Sequence, residues 1–86
     1  MIRIVYLGKL ADVAGKSESQ FVSSSGDLDW SDILALLDDH VQNGLADAVR
    51  DVRVKVALNG QVLADREGLV ARDGDEVAFL PPVSGG

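Results

Sequence analysis

The sequence predicts a small α+β domain in which one main helix packs on one face of a single mixed β-sheet. The chain has 86 residues, and chains usually divide into domains only above roughly 150 to 250 residues. Segments near both ends are apolar in the period-two pattern of strands, whereas residues 30–41 repeat apolar side chains with the period of an α-helix. A domain of this size has one small core, so we expect function on a surface, an edge or a terminus.

Two strands are predicted in the first third of the chain. Ile2 to Leu7 are β-branched, aromatic or aliphatic apart from Arg3, and this run stops at Gly8. A weaker strand is predicted from Glu18 to Ser23, after a loop marked by Gly15. The serine run that follows ends this second strand.

The main helix is predicted from an apolar stripe at positions i, i+3, i+4, i+7 and i+11. Asp29 or Ser31 can cap its start, and Asn43-Gly44 is a C-terminal stop because both residues tolerate the left-handed conformation. A short second helix is predicted from Leu45 to Arg50. The stripe consists of Trp30, Ile33, Leu34, Leu37 and Val41.

Three strands are predicted in the last third of the chain. Residues 52–58 place valine or leucine at every second position from Val52, which indicates a half-buried strand. Asn59-Gly60 is a favoured two-residue hairpin turn, so Gln61 to Ala64 should run back antiparallel. Asp73-Gly74-Asp75 then turns the chain into a last strand, Glu76 to Leu80. The resulting order is ββαββ(β).

Composition narrows the kinds of ligand and partner. The chain has no cysteine and one histidine, which removes disulfides, thiolate ligands and cysteine nucleophiles, so we expect no metal site. Fourteen acidic residues against eight basic ones leave a formal net charge of −6, which repels nucleic-acid backbones and anionic lipid. The N-terminal apolar run is too short for a signal peptide or a membrane span. We therefore expect a cytoplasmic protein that binds neither nucleic acid nor membrane.

Side chains of catalytic type have simpler structural explanations. His40 lies near the predicted helix end, where we expect a solvated side chain and not a base. Asp38 and Asp39 are expected on a solvated helix face, and Asp73 and Asp75 in a turn, because no pocket is implied beside them.

The last six residues, 81–86, are predicted to form an extended tail on a domain of residues 1–80. Pro81-Pro82 ends strand pairing directly after Leu80, because proline has no backbone N–H. At about 3.1 Å per residue in polyproline geometry, the tail would reach up to roughly 19 Å. Gly85-Gly86 ends it with a carboxylate that no Cβ shields. Composition alone leaves open that this is an ordinary frayed terminus.

Residues 73–86, with the sequence DGDEVAFLPPVSGG, resemble the closing segment of the small, sulfur-carrier subunits of molybdopterin synthase. The run through Phe79, Pro81-Pro82 and Gly86 carries the resemblance, because the related thiamine-pathway carrier is typically shorter and lacks the proline pair. That family is ubiquitin-like, with this length and this order of strands and helix. The resemblance therefore implies a β-grasp fold, in which one main helix packs on one face of a mixed sheet.

The resemblance also implies that Gly86 carries sulfur. An E1-like adenylyltransferase would use ATP to adenylate the Gly86 carboxylate, and a sulfur donor protein would then convert the adenylate into a thiocarboxylate. Gly85 would supply clearance and backbone hydrogen bonds, Pro81-Pro82 would aim the tail, and Val83-Ser84 would be a spacer. The chain itself would bind no cofactor, and it would be a co-substrate more than a catalyst.

The destination of the sulfur follows from the same resemblance. The tail would insert into the large subunit of molybdopterin synthase, within a heterotetramer of two small and two large subunits. The thiocarboxylate sulfur would attack cyclic pyranopterin monophosphate there, and two such deliveries would build the dithiolene of molybdopterin.

The partner is expected to meet the sheet face opposite the helix, since an uncovered apolar face marks an interface. Scattered exposed apolar residues, which are ordinary in monomers, are the alternative. Parity along the strands places Ile2, Ile4, Tyr6, Val54, Val56, Val77 and Phe79 under the helix and leaves Val5, Leu7, Ala57, Ala78 and Leu80 exposed. In the family, an apolar patch on this face docks the large subunit, and Leu7, Val62 and Leu80 occupy matching positions. The predicted interface is therefore Val5, Leu7, Val62 and Leu80.

Two other interpretations remain open. Within the same fold, the chain could be a sulfur carrier for thiamine or cysteine synthesis, or a ubiquitin-like modifier that is joined to lysines. In another class, it could be a ubiquitin-like binding module whose terminal glycines never react.

Overall fold

The computed structural model describes residues 1–22 and 26–82, in which a five-stranded mixed sheet packs one face against the helices. This architecture is the predicted α+β fold with its main helix on one face. The strands are β1 (Ile2–Tyr6), β2 (Glu18–Phe21), β3 (Leu28–Asp29), β4 (Lys55–Leu58), β5 (Gln61–Val62), β6 (Val70–Ala71) and β7 (Glu76–Leu80). The α-helices are α1 (Lys9–Ala14), α2 (Trp30–Leu36) and α3 (Leu45–Arg50).

The sheet has the strand order β2-β1-β7-β4-β5, so the first and last strands of the described chain are neighbours at its centre. β1 and β7 pair in parallel, and every other pair in this sheet is antiparallel. A parallel pair needs a long crossover connection, and the segment between β1 and β7 supplies it together with the helices. Strands β3 and β6 form a separate two-stranded pair that the sequence pattern did not predict.

A short helix occupies the segment that was predicted as a loop around Gly15. Helix α1 buries Leu10 and Ala14, which are four residues apart and therefore share one helix face. Gly15 adopts φ 78° and donates its N–H to the Ala11 carbonyl, so it caps the helix C-terminus. The sequence pattern missed this helix because only two of its residues, four apart, are buried, which is too few to show a helical period.

Asp29, and not Ser31, caps the start of the main helix. The Asp29 carboxylate accepts from the Asp32 N–H at 2.9 Å, and the Asp32 carboxylate accepts from the Asp29 N–H at 3.1 Å, which forms a reciprocal capping box. After α2, the helix continues as a π-helical turn over Leu37–Val41 and ends at Gln42, two residues before Gly44. The predicted helix is confirmed, although its last turn is wider than an α-helix.

Asp38 connects this helix to the next one. Its carboxylate accepts from the backbone N–H groups of Gly44, at 3.2 Å, and Ala46, at 3.0 Å. These groups start α3 and have no partner within that helix. The predicted short helix Leu45–Arg50 is thus confirmed, and Asp38 caps it instead of lying on a fully solvated face.

The core lies between the sheet and the helices. All seven strand residues that were predicted to pack under the helix are buried, and Ile33, Leu37, Leu45 and Val49 cover them. The Tyr6 and Phe79 rings stack at 6.4 Å between centroids, and Trp30 tilts against Phe79 at the same distance. Burial raises the pKa of Tyr6, whose hydroxyl donates to Ser19 Oγ at 3.0 Å.

Strand β4 begins later than predicted, and Val52 is not part of it. Val52 is 84% exposed and lies in a turn. The backbone carbonyl of Asp51 closes this turn by accepting from the Val54 N–H at 2.9 Å. Hydrogen bonds from the side chain and backbone of Arg53 lower the pKa of Asp51 to about 2. A local turn held by charge-assisted hydrogen bonds therefore replaces the first half of the predicted strand.

Arg66 ties this turn to α3, a role that the sequence pattern did not indicate. Its guanidinium donates to the carbonyls of Val49 at 3.1 Å and Asp51 at 2.7 Å, and it also contacts the carbonyl of Arg50. It also lies 5.4 Å from the centre of the Trp30 ring, in cation–π geometry. One side chain thus satisfies several carbonyls that a helix end leaves without partners.

The predicted hairpin and last strand are confirmed. Asn59 and Gly60 adopt φ values of 51° and 84°, as the predicted turn requires. β5 spans only Gln61–Val62, which is shorter than the predicted return strand. The Asn59 amide donates to Asp75 at 2.9 Å, and its oxygen accepts from the Glu76 N–H at 2.9 Å, so this turn is attached to the start of β7.

We expect Asp75→Asn to change the pH dependence of stability. Hydrogen bonds from the Asn59 amide and the Arg72 N–H lower the pKa of Asp75, so the folded state favours its carboxylate. This contribution is present above the ordinary aspartate pKa of about 3.9 and is lost as the pH falls. In urea titrations the variant should be less stable than wild type at pH 7, and the difference should shrink toward pH 3. A difference that stays constant over this range would contradict the assignment.

Candidate functional site

The chain leaves the sheet at the end of β7, its central strand. β7 ends at Leu80, and Pro81 and Pro82 follow without regular secondary structure. Pro81 is half-buried and Pro82 is exposed. Val83, Ser84, Gly85 and Gly86 lie outside the described residues, so the extended tail and the boundary between 1–80 and 81–86 stay predictions.

Gly8 packs against the point where the tail begins. The Leu7 N–H donates to the Phe79 carbonyl at 3.2 Å, which continues the pairing of β1 and β7 beyond Tyr6. Gly8 then adopts φ 53° and ψ −130°, and a Cβ at this position would lie 3.0 Å from Pro81 Cγ. Glycine is favoured both by the backbone conformation and by this close approach.

Sequence reasoning interpreted Gly8 only as the end of the first strand. Its contact with Pro81 joins two residues that are distant in the chain, so the local pattern held no signal for it. The one available signal was a glycine directly after an apolar strand, which often marks a bend or a close backbone approach.

The sheet face opposite the helices carries an apolar row across four strands. Val5 pairs with Ala78, Ala78 with Ala57, and Ala57 with Val62. Side chains in register on one face of a sheet are neighbours. We call the face formed by Val5, Leu7, Ala57, Val62, Ala78 and Leu80 the open face.

The structure places all four predicted interface residues on the open face. Leu7 is 41% exposed and Val62 is 53% exposed, whereas Val5 and Leu80 are half-buried. Val5 and Val62 flank the two alanines along the row. Their role in binding stays a prediction.

Ala57 does not have the exposure that parity predicted. It is buried, at 6% exposure, although it lies on the open face. Its methyl group is small, and it lies between Ala78 on β7 and Val62 on β5. Neighbours on both sides cover such a short side chain, so Ala57 contributes little accessible surface.

The charged residues of the open face lie at its two opposite ends. Arg3 forms ion pairs with Glu76 at 2.6 Å and with Glu18 at 3.5 Å, near the start of β7. Lys55 lies at the opposite end, where it pairs in register with Leu80. The apolar row therefore separates a compensated charge cluster from a lysine beside the tail.

The other candidate residues do not form a catalytic group. His40 is exposed, and its ring centre lies 6.5 Å from that of Phe21. Asp73 pairs with the amino group of Met1, and Asp38 caps α3. Among residues 1–22 and 26–82, no three histidine, cysteine or acidic side chains are placed to hold a metal ion.

A groove of about 290 Å³ lies beside β4, between this strand and the segment that contains Leu63 and Arg66. Acidic, basic and apolar side chains line it, and Arg66 already donates to backbone carbonyls.

Across the described part of the chain, no helix is long and apolar enough to cross a membrane.

Comparison with known proteins gives a consistent set of relatives. A model of the ThiS family matches residues 4–86. The molybdopterin synthase sulfur carrier subunit of Chlamydomonas reinhardtii is 34% identical over 85 residues, which covers 99% of this chain and 98% of that protein.

Two solved structures share the fold. SAMP1 from Haloferax volcanii is 31% identical with a TM-score of 0.72, and the match covers 99% of this chain and 98% of that one. The second comes from a complex of subunits 1 and 2 of molybdopterin-converting factor from Helicobacter pylori, at 22% identity and a TM-score of 0.66, covering 99% of this chain and 97% of that one.

We expect Gly8→Ala to disturb the start of the tail. The added methyl group would force Pro81 to move by a few tenths of an ångström, and the backbone conformation would cost about 1–3 kcal/mol of folding free energy. Gly15→Ala is the matched control, because Gly15 also has positive φ but no atom lies within 4 Å of the position that its added methyl group would take. Amide NMR shifts of Leu80 should change in the first variant and not in the second. Equal shifts in both variants would show that Gly8 does not position Pro81.

Proposed function

The chain belongs to the ThiS family, and on that premise we propose that it is a sulfur carrier whose Gly86 receives sulfur as a thiocarboxylate and delivers it for molybdopterin synthesis. The observation that best supports this proposal is the exit of the chain from the central strand beside an apolar open face. The rigid sheet would bind the partner, and the tail would reach into it.

The chemistry needs activation because a carboxylate at neutral pH is a poor acyl electrophile. The Gly86 carboxylate attacks the α-phosphorus of ATP in an E1-like adenylyltransferase, which releases pyrophosphate and forms an acyl-adenylate. A hydrosulfide equivalent from a sulfur donor protein then displaces AMP, and the C–S bond of the thiocarboxylate forms. ATP is bound by the activating enzyme and not by this chain.

Each part of the tail has a different role in the proposed function. Pro81 and Pro82 cannot join a strand and favour an extended backbone, so they direct the chain away from β7. Val83 and Ser84 act as a spacer, and Gly85 allows the last peptide to pass through a narrow channel. An extended tail of up to roughly 19 Å is long beside the 11.9 Å radius of gyration of the protein.

We propose the large subunit of molybdopterin synthase as the protein that receives the tail. The Chlamydomonas reinhardtii relative is a molybdopterin synthase sulfur carrier subunit, and the Helicobacter pylori neighbour was solved as a complex of two converting-factor subunits. In a heterotetramer of two small and two large subunits, the thiocarboxylate sulfur would attack cyclic pyranopterin monophosphate and displace an oxygen substituent. Water would then cleave the acyl C–S bond, which leaves the sulfur on the pterin and returns Gly86 as a carboxylate. Cytoplasmic enzymes would supply the ATP-dependent step.

A second function, as a protein modifier, is favoured by the similarity to SAMP1 from Haloferax volcanii, a small archaeal modifier protein. The activation step would be shared, and the two functions would differ in the final acceptor. A lysine amine would attack the activated Gly86 carbonyl and form an isopeptide bond, whereas sulfur delivery leaves the chain free. Carriers for thiamine or cysteine synthesis would likewise share activation and differ in the partner.

Intact mass spectrometry tests the reaction at Gly86. Incubation with the activating enzyme, ATP and a sulfur donor should add the mass of one sulfur in exchange for one oxygen. A chain extended by one alanine after Gly86 should fold normally and gain no mass, because its terminal carboxylate is displaced from the adenylation site. An unmodified wild-type chain would support the non-reactive binding module, and adducts on lysines would support the modifier.

We expect the open face to be needed for binding the large subunit. Leu7→Asp should weaken binding by tenfold or more, because a charge would be buried against apolar surface. Val13→Asp is the matched control, since Val13 has nearly the same exposure, 42% against 41%, but lies on α1 in the helix layer. Titration calorimetry measures both affinities, and thermal melts confirm that both variants are folded. Equal losses of affinity would show that the interface lies elsewhere.

A further inference from the structure

All three lysines of the protein lie at the end of the sheet where Pro81 leaves it. Lys9 follows Gly8, which packs against Pro81. Lys16 precedes Ser17, whose carbonyl accepts from the Tyr6 N–H at 2.9 Å at the end of β1. Lys55 starts β4 and is in register with Leu80. We call these three residues the lysine end.

The lysines differ from the arginines in their partners. Four of the five arginines form ion pairs with carboxylates, namely Arg3, Arg50, Arg53 and Arg72. The fifth, Arg66, donates to backbone carbonyls. Within residues 1–22 and 26–82, by contrast, the lysine ammonium groups form no ion pair. The lysine end therefore carries charge that the fold does not neutralise.

Acidic residues lie in the same parts of the chain as the lysines. Asp12 lies between Lys9 and Lys16 on the exposed side of α1, and Asp65 and Glu67 line the groove beside Lys55. The opposite end of the sheet is acidic, with Asp73, Asp75 and Glu76 around the start of β7. In a protein with a net charge of −6, the cations that form no ion pair among the described residues thus concentrate near Pro81.

We propose that the lysine end docks against carboxylates on the rim of the pocket that receives the tail. This inference rests on the proposed function, because it assigns a charge pattern to that partner. The pocket interior must attract the anionic end of the tail, so we expect it to be cationic. An acidic rim would complement the lysine end, and a cationic interior would complement the terminal carboxylate.

Such a rim orients the tail before it enters the pocket. Exposed charges around an interface act mainly on the association rate and on specificity, and they are screened by salt. Lys55 is the most informative member of the lysine end, since it lies on the open face beside Leu80. Lys55 would contact the rim while Leu7 and Val62 cover the apolar centre of the interface.

Charge reversal at matched positions tests this inference. Lys55→Glu and Arg72→Glu lower the net charge by the same amount, but Arg72 lies at the opposite end of the sheet and is 72% exposed. Binding to the purified large subunit of molybdopterin synthase from the same organism is measured at about 50 mM and about 500 mM salt. We expect Lys55→Glu to weaken binding about tenfold at low salt, mainly through slower association, and Arg72→Glu to change it by less than twofold. The loss of affinity in Lys55→Glu should become smaller at high salt.

The outcomes separate this inference from the proposed function. If wild type binds and the two reversals have equal effects, the acidic rim is wrong and the proposed function stands. A wild-type chain that gains sulfur but does not bind the large subunit overturns both the partner and the rim. Lys16→Glu provides a second test, for which we expect a smaller loss of affinity that also decreases at high salt. Melting temperatures near wild type for each variant exclude unfolding as the cause.

Discussion

The parallel pairing of β1 with β7 is the interaction on which the rest of the structure depends. It sets Ile4 beside Val77 and Tyr6 beside Phe79 at the centre of the sheet, where all four side chains are buried. The same pairing sends the helices over one face, because a parallel crossover must leave the sheet and return to it. It also brings Gly8 against Pro81, so the position at which the tail starts is part of the core architecture.

This constraint explains why the candidate site lies at one end of a surface and not in a cavity. A domain of this size fills its single core with the side chains that hold it together. What remains available is the open face, whose row from Val5 to Val62 crosses four strands, and the tail that begins beside it. Binding and reaction are then separated in space. In the proposed function, the sheet supplies apolar area and orientation, while Gly86 carries the reactive group.

Sulfur delivery and protein modification make similar demands on this architecture. Both proposed functions would need an activated Gly86 and a surface that an activating enzyme can bind. The choice between them depends on the protein that receives the tail. The charge pattern around Pro81 bears on that choice because it describes the surface that the partner must present.

Sequence alone determined the features that depend on neighbouring residues. Strand parity in Ile2 to Tyr6 and Glu76 to Leu80, the helical stripe from Trp30 and the Asn59-Gly60 turn all follow from local side-chain periods and backbone preferences, and the structure has each of them. The tertiary structure decided those features in which contacts between distant segments outweigh the local sequence pattern. It buried Ala57 between two strands. It also assigned Arg66 to carbonyls of α3 and Gly8 to Pro81. These outcomes could not be predicted from the sequence, because each depends on which distant segments become neighbours.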